Sequence, residues 1–188
     1  MLDLINSSSY DLQFDYDGDN TFETSISPKS FINISEDELN NSALVNIVKL
    51  PKNEKPFIDT SSSTGTNLVL EPKNNISNEK IVLNKYFNNS LDSKGFYTLG
   101  NYVNINFSEN LTRDLNSTKL TLLYPEYLLI KRHLAEKDLS IYYWNNTWIK
   151  LNSSVDENLN TVSTYINNSG KYLIASTDQT PIIEYVKV

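Results

Sequence analysis

Residues 139–176 read LSIYYWNNTWIKLNSSVDENLNTVSTYINNSGKYLIAS. Four runs rich in β-branched and aromatic residues stand in that stretch: LSIYYW (139–144), TWIKL (147–151), TVSTYI (161–166) and KYLIAS (171–176). Such side chains fit a pleated, half-buried surface, and the runs are too short for a typical helix. Asn145-Asn146 sits between the first two as a tight hairpin requires, and Ser169-Gly170 opens the last with a residue that tolerates positive φ.

The same grammar extends in both directions. In YDLQFDY (10–16), Tyr10, Leu12, Phe14 and Tyr16 share one face while Asp11, Gln13 and Asp15 share the other. Further strands are predicted at 43–50 (ALVNIVKL), 67–72 (NLVLEP), 79–84 (EKIVLN), 101–107 (NYVNINF), 119–124 (KLTLLY) and 182–188 (IIEYVKV). One helix is predicted, in PEYLLIKRHLAEKD (125–138), with Pro125 in its first turn and Tyr127, Ile130 and Leu134 lining one face. LPKNEKP (50–56) reads as a Pro-bounded loop, and TSSSTGTN (60–67) as the most linker-like stretch. The expectation is therefore an all-β chain: one antiparallel β-sandwich domain over 1–188, with an N-terminal hairpin (10–27) and one short crossover helix at about 125–138. Any sub-domain boundary is expected at the 60–67 loop.

Composition narrows the function classes. A formal charge of -7 and a pI near 4.7 arise from scattered carboxylates, a surface that repels phosphate backbones and argues against nucleic-acid partners. With no Cys there is no disulfide framework, no thiolate nucleophile and no Cys-bound metal. His133, the only histidine, has no metal-binding partner nearby in sequence and reads as a surface or packing residue. No Gly-x-Gly run suggests a phosphate-binding loop, and no apolar run approaches the ~18 residues of a membrane span. The start MLDLINSSSYD lacks the features of an export signal, so for an exported protein the expectation is an excised internal module whose Met1 is an expression start.

Eleven N-x-S/T acceptor triplets occur, at Asn6, Asn33, Asn40, Asn75, Asn88, Asn106, Asn110, Asn116, Asn145, Asn152 and Asn167. Chance predicts about five in a chain of this Asn, Ser and Thr content. The excess favours N-glycosylation; the rival reading is that an Asn/Ser/Thr-rich sequence writes these short triplets by accident. The sharpest local feature is DYDGDNTFE (15–23), with Asp15, Asp17, Asp19 and Glu23 recurring through a turn. Converging carboxylates suit Ca2+, which takes six to eight oxygen ligands. The alternative is an ordinary Asp-Gly hairpin with its carboxylates in solvent. Calcium is the only cofactor expected.

Two resemblances follow. Residues 15–23 resemble the aspartate-rich calcium loops of dockerin-like and other surface modules, although Asn20 stands where their D-x-D-x-D-G pattern has glycine and Gly18 comes two positions early. Residues 140–176, through Tyr142, Tyr143, Trp144, Trp148 and Tyr172, together with YDLQFDYDGDNTFETSISP (10–28), resemble β-sandwich modules of archaeal (methanogen-type) and bacterial cell-surface glycoproteins. These segments cover about a third of the chain. The resemblance implies a location class and a fold, not an activity.

The functional expectation is a non-catalytic, extracellular, structural or adhesive module of a cell-surface or S-layer-like protein. Its expected partners are neighbouring modules of the same protein or envelope glycans, with homo-assembly through edge strands, IIEYVKV among them, and no membrane span. Two alternatives stand beside it. A carbohydrate-binding module of a secreted enzyme would show a row of exposed aromatics on one sheet face, whereas alternation sends at least half of them to the core. An acidic-pair glycoside hydrolase would show two close carboxylates, one of them desolvated.

Overall fold

The computed structural model describes residues 12–14, 24–26, 30–87, 97–99 and 101–177. Leu12–Phe14 (β1) pairs antiparallel with Thr24–Ile26 (β2). The rest of the described chain runs Phe31–Asp37 (β3), Ser42–Leu50 (β4), Phe57–Thr60 (β5), Ser61–Thr64 (α1), Thr66–Pro72 (β6), Ile76–Phe87 (β7), Tyr97–Thr98 (β8), Asn101–Phe107 (β9) and Glu109–Asp114 (α2). It continues through Leu115–Leu123 (β10), Glu126–Arg132 (α3), a 3-10 turn at Glu136–Asp138, Ser140–Asn145 (β11), Thr147–Lys150 (β12), Ser154–Asp156 (β13), Thr161–Ile166 (β14) and Gly170–Ser176 (β15).

These strands make an antiparallel β-sandwich. One sheet has the order β12-β11-β15-β9-β7-β4-β3, with β8 added against β15; the other has the order β13-β14-β10-β6-β5. Period-two burial explains why. In β6, Thr66, Leu68, Leu70 and Pro72 are buried while Asn67, Val69 and Glu71 face outward. Ile47, Ile81, Leu83, Ile105, Ile141 and Ile174 of the larger sheet meet Ile58, Leu68, Leu70, Leu120, Leu122 and Val162 of the smaller in one contiguous core. Each such side chain contributes roughly 1.5–3 kcal/mol relative to exposure.

Strand register defines the two ends of the sandwich. At one end lie the β3–β4 turn, α1, α3 and the β13–β14 turn; at the other lie the 51–56 loop, the β6–β7 turn, α2, the β11–β12 hairpin and the β14–β15 turn. Asparagine makes many of these reversals. Only 5 glycines are present in the chain, and Asn41, Asn78, Asn146 and Asn160 all adopt positive φ. Short polar side chains visit the left-handed region at lower cost than bulky ones.

Two side chains tie the sandwich together. Glu36 lies opposite buried Ala43, so it points inward from edge strand β3. Its Oε2 accepts from Ser62 Oγ (2.7 Å), Ser63 Oγ (2.7 Å) and Ser63 N (3.0 Å), latching the larger sheet to α1 of the smaller. Tyr172, 2% exposed, packs its ring 5.2 Å from that of Tyr143 and donates its hydroxyl to the Asn168 carbonyl at 2.6 Å. Burial, seconded by Tyr143, pushes its phenol well above the ordinary range. Gly170 is required beside this pair, since an added Cβ would stand 2.5 Å from Tyr143 Cε2.

The expected short helix is present, and its extent is narrower than 125–138. The stretch 125–138 folds as α3 followed by the 3-10 turn Glu136–Asp138: Pro125 is the extended N-cap of α3 rather than a first-turn residue, and His133 ends α3 at φ 56°, exposed. Of the residues expected to line one face, Tyr127 and Ile130 are 66% and 71% exposed and Leu134 is buried, as is Leu129. The helix spans only two turns, so Leu129, with partly buried Leu128 beside it, anchors it, and Leu134 past His133 adds a third contact. Two further helices were not anticipated. The linker-like stretch 60–67 is instead a packed reversal: Thr60, Ser63, Thr64 and Thr66 are buried, and Thr60 Oγ1 donates to the Thr66 carbonyl at 2.7 Å. Short α2 buries Leu111 at the opposite end. Among the described residues no helix is long and apolar enough to cross a membrane. The predicted strand at 182–188 lies outside the described residues.

Candidate functional site: the outer face of the five-stranded sheet

Register across β5, β6, β10 and β14 brings together residues distant in sequence. Phe57 lies opposite Val69, Val69 opposite Lys119, and Lys119 opposite Tyr165. This row crosses the outer face, with Phe57 and Tyr165 63% and 62% exposed. A parallel row two residues along carries Asp59, Asn67, Thr121, Ser163 and Ser154.

The second row is a hydrogen-bonding strip. Thr121 Oγ1 and Ser163 Oγ are 2.9 Å apart. With its amide oriented to donate, Asn67 bridges Asp59 Oδ1 (2.8 Å) and the Thr66 carbonyl (2.9 Å). Side-chain and backbone hydrogen bonds from Ser61 hold the Asp59 carboxyl below its ordinary value. At the edge of the face, Glu71 pairs with Lys55 at 2.7 Å and accepts from Ser117 Oγ at 2.6 Å; Lys55 first, then Ser117, holds its carboxyl low. Lys119 makes no ion pair among the described residues.

The face is hollowed. A groove of about 750 Å3 lies over Asn67, Lys119, Thr121 and Ser163, walled by the β13–β14 turn. That turn is stiffened by Asp156 Oδ1, which accepts from the Asn158 and Leu159 amides at 3.1 and 3.2 Å. A neighbouring depression of about 210 Å3 reaches past Lys119 to Asn152 and Tyr165.

The residues singled out by sequence fall elsewhere. Asp15, Asp17, Asp19 and Glu23, the calcium candidates, lie outside the described residues, as do Asn6 and Asn88. Among the described residues no group of three or more His, Asp or Glu side chains could hold a metal ion. Of the nine described acceptor asparagines, Asn40, Asn75, Asn106, Asn110, Asn116, Asn145, Asn152 and Asn167 are exposed and Asn33 is partly buried. Among the twelve other asparagines whose burial is described only six are exposed, and the four with positive φ all belong to this second group. Asn75, Asn106, Asn110, Asn116, Asn145 and Asn167 gather at the α2 end of the sandwich.

No family model and no curated protein matches the chain. The aromatic pattern of 140–176 divides between the two faces of the larger sheet. Tyr143 and Tyr172 point into the core, while Tyr142 is buried on the other face with Leu173 and Ala175, against partly buried Tyr102 and Trp148. Trp144 and Trp148 meet edge to face at 5.2 Å. These rings are packing residues first. The exposed pair Phe57 and Tyr165 had a weaker sequence signal: Tyr165 is the outward position between Thr164 and Ile166, and Phe57 sits in a four-residue strand after Pro56.

Proposed function

We propose that this chain is a non-catalytic, extracellular structural or adhesive module of a cell-surface, S-layer-like protein, N-glycosylated through its exposed acceptor asparagines. The observation that carries the reading is the contrast in exposure: eight of nine described acceptor asparagines are exposed against six of twelve others. Modification requires an exposed acceptor, and the described acceptors meet that requirement more often than the other asparagines do. Glycans are bulky and belong on the surface, and six of the exposed acceptors gather at the α2 end, with Asn40 alone in the β3–β4 turn at the α1 end.

The shifted carboxyls among the described residues do not favour the acidic-pair hydrolase. Its general acid needs a carboxyl that holds its proton near neutral pH. The shifted carboxyls of Glu36, Asp37, Asp59, Glu71 and Asp114 are all lowered by hydrogen-bonding partners. The location half of the proposal has a direct test. Antibody raised against the recombinant protein should label intact, unpermeabilised cells of the organism that makes it; labelling that requires lysis would contradict a surface location.

A further inference from the structure

We propose that the groove on the five-stranded sheet binds an uncharged oligosaccharide. Phe57 lines the groove and Tyr165 the neighbouring depression, both more than three-fifths exposed, so one register row offers a ring at each end. Phe57 and Tyr165 stand three strand spacings apart, roughly 14 Å. One sugar ring cannot reach both, so the row suits a chain of rings. Sugars present flat apolar faces edged by hydroxyls, and recognition needs an aromatic surface beside paired donors and acceptors. Both are here in adjacent rows: rings at the two ends of the first, with Lys119 in the same row between them, and Asp59, Asn67, Thr121 and Ser163 along the second.

Charge selects among occupants. Asp156 and Glu157 line the groove and Asp59 stands in the adjoining row, against the single cation Lys119. An anionic glycan or a nucleic acid would be repelled, whereas neutral hydroxyls can use both signs. The volume of about 750 Å3 falls within the size range of ligand clefts, and no acceptor asparagine lines this groove, although Asn152 borders the neighbouring depression. The inference rests on this geometry alone and stands or falls independently of surface location.

The test is titration of the 15N-labelled full chain with neutral tetrasaccharides of β-linked glucose, β-linked N-acetylglucosamine and α-linked mannose, followed by amide chemical shifts. At least one sugar should give saturable shifts confined to β5, β6, β10, β14 and the β13–β14 turn. Phe57→Ala and Tyr165→Ala should each weaken that binding about tenfold, the scale of one lost stacked ring, while leaving the melting temperature unchanged. Four results would overturn the proposal: no saturable shift with any of the three, shifts mapping elsewhere, binding indifferent to both substitutions, or sugar-independent self-association abolished by Phe57→Ala. The last would make the face a contact between copies of the chain.

Discussion

Tyr172→Ala is expected to lower stability by about 3–5 kcal/mol, the usual cost of deleting a large buried aromatic. The residue lies almost fully inside the core, its ring against Tyr143 and its hydroxyl on the Asn168 carbonyl within the β14–β15 turn. Alanine leaves a cavity between the sheets, strands that carbonyl and removes the support of the reversal into β15. Tyr172→Phe keeps the ring and loses only the bond, so it is expected to cost about 1 kcal/mol. Urea denaturation of both variants gives the comparison. An alanine variant within about 1 kcal/mol of the parent would mean the ring is not part of the core.

Glu36→Ala is expected to cost about 1–2 kcal/mol, the lower part of the range for bonds to a charged acceptor because the group is mostly solvated. Partial burial pulls its carboxyl upward, but Ser63 and Ser62 outweigh that pull and hold it below the ordinary 4.5. A carboxyl with a depressed folded value adds stability that is complete above its unfolded value and is lost as pH falls through the folded one. The latch should therefore work at neutral pH, begin to weaken below about 4.5 and fail as pH falls through the lower folded value. Glu36→Gln retains an acceptor without the charge, so its stability should fall less steeply in acid than the parent's. The loss should not vanish, because Asp37, Asp59, Glu71 and Asp114 are also held low. Equal acid slopes in parent and Gln variant, read from melts between pH 3 and 7, would remove Glu36 from the account.

The strands legible in the sequence are those whose alternation reports burial directly. Ala43, Val45 and Ile47 of β4 or Val162, Thr164 and Ile166 of β14 announce which face is inward before any partner is known. Strand β3 (FINISED) is not legible in the same way, because its inward Glu36 is satisfied by serines from a distant helix. The α1 segment SSST has weak helix propensity and is held as a turn of helix by Glu36, so only tertiary structure separates it from a linker. Both aromatic clusters show another limit. Tyr142 and Tyr143 alternate as a strand should, but alternation cannot say that both faces of β11 are covered. The groove was out of reach altogether, since Phe57, Lys119 and Tyr165 become neighbours only once three strand registers are fixed.

Site-resolved glycopeptide mass spectrometry of the protein purified from the organism that makes it tests the central claim most directly. The account predicts whole-glycan additions at several of the exposed acceptors, foremost at the α2 end on Asn75, Asn110, Asn145 and Asn167, and none on the left-handed turn asparagines Asn41, Asn78, Asn146 and Asn160. Every acceptor peptide recovered at its unmodified mass would contradict it.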